Sequence, residues 1–320
     1  KFLIKLVLGI YITSLAARWV TGTVGGAEVL ALLKGISISW LAWGFIFYAG
    51  AYAARVGRFA SLFRGENMHR NSLFAITGIH NTAVRLLPNP AGEAVFFYLA
   101  KHYGASGTNA LAVLFVYRLF DFAVAAFFLS LAGFLVFGNG WFGAKILFAL
   151  PAVLIALSPF VAARFLRRGK KWPRLPSWAI KFLDELERLA AYGGVWRGAL
   201  FYSLLLWTCM SVSYYMFFRA FGSSFDFWPV VFGGMVQVFV NVLPSIAGVG
   251  VMEAGWVAGF GLTGIPKEIV LPGAIGVDAM TLLGTLAIGG AAFLGMLLKR
   301  AKERRGRSFE AAPSAPILYE

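Results

Sequence analysis

Cysteine, histidine and charge are all scarce in this chain. The single cysteine, Cys209, excludes an intrachain disulfide and a thiolate metal cluster, and carries no information about redox compartment. The three histidines, His69, His80 and His102, lack metal-ligand spacing, so neither a metal nor another cofactor is expected. Enzyme motifs are missing as well: there is no GxxxxGK[ST], HExxH, CxxC or GxSxG. GVGVMEAG has neither the spacing nor the βαβ context of a dinucleotide loop. A membrane-embedded transferase using carboxylates would need a soluble donor-binding domain, and none is recognisable in this sequence. The chain therefore reads as a non-enzyme.

Charged residues make up only 13% of the 320, against 59% hydrophobic, and the mean hydropathy is +0.75. A soluble domain of this length needs far more polar surface, so the composition is that of an all-α polytopic membrane protein. The formal charge of +15 would suggest nucleic acid as the partner of a soluble protein. Here it is read as topology instead, and no nucleic acid is expected.

Apolar runs of about 20 residues cross a bilayer core. Six full crossings are expected at 2–20, 35–54, 108–136, 143–163, 195–218 and 269–298. The chain starts at Lys1, and 2–20 reads as a retained helix rather than a cleaved signal. Segments 72–100 and 228–262 are apolar but interrupted, and too short for two crossings each. Each is either one kinked span or a re-entrant hairpin. Lysine and arginine decide between these. Two re-entrant hairpins gather Lys1, Lys5, Arg55, Arg58, Arg64, Arg70, Lys101, the cluster at 164–197 and the tail at 299–307 on one side. Only Arg18, Lys34, Lys145, Arg219 and Lys267 fall opposite. Two kinked spans would split the charges almost evenly. The hairpin arrangement is therefore expected, with both termini cytoplasmic. The basic loop opening at 164 runs into an amphipathic stretch with Ala179, Phe182, Leu183, Leu186 and Leu189 on one face. Together 164–192 reads as a loop and surface helix, either a topology anchor or a lipid-binding patch.

The two interrupted segments carry nearly the same text. RLLPNPAGE at 85–93 and NVLPSIAGVGVME at 241–253 both give Leu-Pro, two residues, Ala-Gly, then a glutamate. Pro88 precedes Asp121 by 33 positions, and Pro244 precedes Asp278 by 34. This predicts an inverted-topology repeat: 1–140 enters its hairpin from the cytoplasm and 141–300 from outside, followed by a flexible tail at 301–320. Substrate sites in such folds lie near the midplane between the broken elements.

Broken backbone is tolerated in a membrane only inside protein or beside water. Pro88, Gly92, Pro244, Gly248 and Gly250 mark the breaks, with helices restarting near Glu93 and Gly250. Helix N-termini aimed inward favour a phosphate or carboxylate, whereas Glu93 and Glu253 read equally well as first-turn caps. Arg85, Glu93, Arg118, Asp121, Glu253 and Asp278 all fall at membrane depth, where charge is costly. Arg118 and Asp121, three apart on one helix, can partly neutralise each other. Asn81, Gln237 and Asn241 add neutral polar groups near the breaks. These residues are either structural interhelical pairs or a polar path for a headgroup, an ion or protons. The GWVAG stretch at 255–259 reads as close helix packing rather than a dimer face.

Taken together, LLPNPAGE preceded by Asn81, YRLFD at 117–121, and LPSIAGVGVMEAG followed by a span with Asp278 resemble the lysylphosphatidylglycerol synthase transmembrane region, a flippase-like membrane family. The likeness covers nearly the whole chain. It implies transbilayer movement of a phospholipid or polyprenyl-type lipid, passive or coupled to protons or another ion. With 320 residues leaving no room for the synthase domain, the chain is expected to be of the stand-alone type, in a prokaryotic cytoplasmic membrane. The family's basic residues around Gly-Glu are replaced here by Ala91 and the run 94–97. The resemblance thus leaves Arg85 and Arg118 as candidate phosphate partners, with Glu93 and Glu253 for cationic groups or protons. Rival readings are a secondary transporter of a small anion, and a non-transporting partner of a glycosyltransferase or lipid-modifying enzyme.

Overall fold

The computed structural model describes residues 35–66, 68–87, 89–138, 176–191, 193–241 and 250–310. The expected spans at 2–20 and 143–163, the loop 164–175, the break residues Pro88, Pro244 and Gly248, and the tail at 311–320 lie outside the described residues. Among those described, nine α-helices and no strand are present. They are α1 (Ile38–Leu62), α2 (Arg70–Leu86), α3 (Asn89–His102), α4 (Gly107–Phe137), α5 (Ser177–Ala191), α6 (Gly193–Ala220), α7 (Phe227–Val240), α8 (Val251–Leu262) and α9 (Lys267–Glu310). Three are long and apolar enough to cross a membrane: α4, α6 and the part of α9 from Lys267 to Lys302. α9 stays helical ten residues past the boundary at 300 read from the sequence.

Each interrupted segment holds two described helices, α2 and α3 in the first and α7 and α8 in the second. α2 ends where Leu87 turns extended, φ −108° and ψ 155°, as steric clash with a following proline requires. α3 folds back on α2 so closely that a methyl group on Gly92 would lie 2.6 Å from the Val84 Cα. α7 and α8 run antiparallel, with Gly255 facing Gln237 and Gly259 facing Gly233. A Cβ on Gly259 would come 2.5 Å from the Gly233 Cα, so the small residues of the GWVAG stretch set the distance between these helices. α3 and α8 also end alike. Gly104 (φ 102°) and Gly264 (φ 81°) each adopt the left-handed turn, and the next N–H returns to Ala100 O and Phe260 O at 3.0 and 3.1 Å.

The packing is reciprocal. α1 lies along α6, α2 packs on α9, and α7 packs on α4. The buried side chains fall into two clusters. One gathers Trp256, Phe217, Phe218, Phe232 and Phe260 with Tyr48 and Tyr52. The other gathers Phe59, Phe63, Phe96, Tyr117 and Phe120. α5 packs on α4 and α6, burying Leu189 and resting Phe182 and Leu186 on the second cluster, while Ala179 and Leu183 are half-buried and Trp178 and Ile180 exposed. Large apolar side chains also cover the outside of the long helices, including Phe115, Phe134, Phe201 and Leu294, a surface suited to lipid.

Two adjacent glycines in α9 test this packing. A side chain on Gly289 would collide with Thr82 of α2, whereas Gly290 faces open space. Gly289→Ala is expected to destabilise the protein by about 1–3 kcal/mol. Gly290→Ala should be neutral or stabilise by about 0.5–1 kcal/mol. Thermal unfolding in detergent would compare them, and equal midpoints would contradict the α2–α9 contact.

Candidate functional site

A cavity of about 340 Å³ opens between the two clusters. α1 contributes Tyr48, Tyr52, Arg55 and Phe59, spaced 4, 3 and 4 residues apart on one helix face, with Arg58 beside them. α2 adds His80, Asn81 and Arg85; α3 adds Glu93; α4 adds Tyr117, Arg118 and Asp121. From the second half come Trp207, Met210 and Tyr214 of α6, Gln237 of α7 with Asn241 at its end, Met252 of α8, and Thr281 and Thr285 of α9.

Three ion pairs tie these elements together. Arg58, 2% exposed, reaches Asp121 at 2.6 Å and Ser203 Oγ at 3.3 Å, and lies over the Tyr117 ring. Arg85 pairs with Asp278 and touches the Met252 sulfur. Arg118 pairs with Glu93 Oε1. The other Glu93 oxygen accepts from Tyr117 Oη at 3.3 Å and faces His80 Nε2 at 3.2 Å. Arg55 differs, because its Nη1 donates to the neutral amide oxygen of Asn81 at 2.6 Å. A row of hydroxyls joins α1 to α9. Tyr48 Oη lies 2.6 Å from Thr285 Oγ1 and donates to Thr281 O at 3.0 Å, and Tyr52 Oη donates to Thr285 Oγ1 at 3.3 Å.

The residues singled out on the sequence separate as follows. Asn81, Arg85, Glu93, Arg118, Asp121, Gln237 and Asn241 line the cavity. Asp278 sits behind Arg85. Glu253 does not line the cavity: it occupies the third position of α8, near the Arg85–Asp278 pair, and accepts the Gly250 N–H at 2.7 Å, where Gly250 (φ 77°) is the N-cap. The two glutamates therefore do different things, Glu253 capping its helix and Glu93 reaching across to α4. The helix restart expected near Glu93 comes earlier, at Asn89.

Two expectations are corrected. Arg118 and Asp121 make no direct ion pair with each other: each pairs across to another helix, and what they share is proximity on one face. Arg55 and Arg58, counted among the loop charges, lie inside α1, which runs eight residues beyond the expected end of that span at 54 and carries both into the cavity wall. His80 was also missed as a site residue. A buried lone histidine in an apolar run offers no signal until Glu93 is seen beside it.

Removing one member of the Arg58–Asp121 pair strands the other away from water. Asp121→Ala is expected to cost about 3–5 kcal/mol, and the double replacement Arg58→Met with Asp121→Leu much less. A double-mutant cycle of thermal unfolding in detergent checks this. Additive losses would mean the pair contributes nothing.

Among the described residues no group of three or more His, Cys, Asp or Glu is placed to hold a metal ion. A comparison with curated proteins finds no match. A family model described as the lysylphosphatidylglycerol synthase TM region matches residues 3–289, nearly the whole chain. That match and the three long apolar helices make this an integral membrane protein. The chain belongs to the lysylphosphatidylglycerol synthase TM region family.

Proposed function

We propose that this protein moves the headgroup of a phospholipid or polyprenyl-type lipid across a prokaryotic inner membrane through the central cavity, leaving the acyl chains in the bilayer. The observation that carries this reading is a polar, ion-paired cavity walled by both halves of an otherwise apolar chain. Charge at such depth is costly and gathers where a path needs it. The reciprocal packing of α2 on α9 and α7 on α4 supports two inverted repeats, 1–140 and 141–300, each with a re-entrant hairpin.

The chemistry follows from the pairs. A phosphate approaching Arg118 competes with Glu93 for the guanidinium, and a cationic group on the same lipid can take Glu93 in return. Arg85 offers a second such position toward α9. Since each pair joins separate helices, exchanging protein partners for lipid partners loosens the contact between them. Movement is then passive or coupled to protons or another ion, with His80 and Glu93 as the groups placed to carry a proton.

Reconstitution in liposomes with fluorescent phospholipids, followed by bleaching of the outer leaflet, tests the proposal. The wild type should expose inner-leaflet lipid, and Glu93→Gln should slow this roughly tenfold or more, because no carboxylate is left to reclaim Arg118 from the bound phosphate or to receive the lipid's cationic group. Equal bleaching of empty and protein-containing liposomes, across anionic, zwitterionic and aminoacylated lipids, would overturn lipid movement. It would favour a soluble anion or a partner enzyme instead.

A further inference from the structure

Four guanidiniums face the cavity, and three are matched by a carboxylate: Arg58 by Asp121, Arg85 by Asp278, and Arg118 by Glu93. The fourth carboxylate of the neighbourhood, Glu253, is engaged with the Gly250 N–H. Among the described residues it makes no ion pair with any of the four. Arg55 is left over. It is only partly exposed and has a neutral acceptor, Asn81 Oδ1, at 2.6 Å, with the Tyr52 ring centroid 5.2 Å from its Cζ.

These contacts orient Arg55 without neutralising it. Asn81 Nδ2 donates to Thr77 O at 2.7 Å, which turns the amide oxygen toward Arg55 Nη1. The Tyr52 ring flanks the guanidinium, and Tyr52 is itself fixed through Thr285. The other N–H donors of Arg55 take no protein acceptor among the described residues. A positive charge oriented by neutral groups, half-buried in the cavity wall and without a paired carboxylate, is placed to receive an anion.

The rest of the lining agrees. Four of its buried polar atoms without a protein partner are N–H donors: Arg58 Nε, Arg85 Nε, Trp207 Nε1 and Gln237 Nε2; the fifth is His80 Nδ1, the acceptor nitrogen of a neutral ring whose Nε2–H faces Glu93. No lining oxygen is left over in this way among the described residues. A ligand suited to this cavity supplies acceptors to these donors, and a negative charge beside Arg55. At about 340 Å³ the space is at the small end for ligand sites, enough for a headgroup but not for acyl chains.

We propose that Arg55 is a further anion-binding residue of the cavity, beside the exchangeable Arg118, and that it selects a phosphate ester. The planar guanidinium fork fits two phosphate oxygens at once, which a lysine in its place would not. The assignment rests on the transport reading only for the source of the phosphate, a lipid headgroup rather than a soluble anion.

Equilibrium titration of the purified full chain in detergent, followed by tryptophan fluorescence, tests it. The probes are short-chain phosphatidylglycerol, inorganic phosphate, and an uncharged short-chain glucosyl diacylglycerol. Arg55→Gln should weaken phosphatidylglycerol binding roughly tenfold or more, Arg55→Lys less, and neither should alter the glucosyl lipid. Asn81→Asp serves as a second variant, because it places a carboxylate against Arg55 without removing the guanidinium. It should weaken binding as Arg55→Gln does, whether or not Arg55→Gln folds. Wild-type binding of phosphatidylglycerol but not of phosphate assigns the site to a lipid headgroup, and equal binding of both assigns it to a free anion. Unchanged anion affinity in Arg55→Gln and Asn81→Asp, or no anion binding by the wild type, overturns the proposal. A wild type that binds phosphatidylglycerol yet moves no lipid in liposomes overturns transport and leaves Arg55 standing.

Discussion

The contact on which the site depends is the buried pair of Arg58 and Asp121. A guanidinium with 2% of its surface exposed needs an anion beside it, and Asp121 supplies one from a helix 63 residues away in sequence. That single requirement brings α1 against α4, with Ser203 of α6 and the Tyr117 ring completing the surroundings. The other two pairs extend the same logic, Arg85 tying α2 to α9 and Glu93 tying α3 to α4. Apolar side chains gain little by leaving lipid for one another, so close backbone approach and matched polar groups do more of the holding. The glycines belong to this argument. Gly92, Gly259 and Gly289 let helices approach near enough for side chains from three directions to share one cavity.

Much of this arrangement was legible in the sequence, for physical reasons that also mark the limit. α4, α6 and α9 declared themselves by length and apolarity, and the broken helices by proline and glycine inside apolar runs. Arg85, Glu93, Arg118, Asp121 and Asp278 stood out because charge is rare at such positions. Arg55 and Arg58 were hidden by their neighbours. They close an apolar run and are followed by Arg64 and Arg70, so a loop of topology-setting charges explained all four equally well. Only the partners, Asn81 on α2 and Asp121 on α4, separate a cavity arginine from a loop arginine. The same holds for Arg118 and Asp121. Spacing on one helix shows that they share a face, not that their charges meet.

Glu93 and Glu253 show how a repeated motif can diverge in chemistry. Both follow Leu-Pro and Ala-Gly, but Glu253 lies four residues farther past its proline. That places it at the third position of α8, where its carboxylate meets the Gly250 N–H and its charge faces the positive end of the helix. Glu93 lies at the fifth position of α3, past the first turn, and so points toward neighbours instead. A small shift in register therefore converts a cap into a cavity residue, and makes the two halves unequal where their sequences look most alike.

The inequality matters for how a headgroup could pass. Breaking a buried ion pair is prohibitive when it strands a bare carboxylate. Glu93 is protected against that. Only its Oε1 engages Arg118, while its Oε2 already meets Tyr117 Oη and His80 Nε2. A phosphate drawing Arg118 away leaves Glu93 with two hydrogen-bonding partners in place, or with a cationic group of the same lipid. Asp121 has no such reserve, because its counter-charge is the deeply buried Arg58. On the transport reading, the Arg118–Glu93 pair is the one that can open at low cost and the Arg58–Asp121 pair is the one that must not. The cavity then has a fixed wall on α1 and an exchangeable one where α3 meets α4, with Arg55 standing on the fixed side as the charge toward which an anion is drawn.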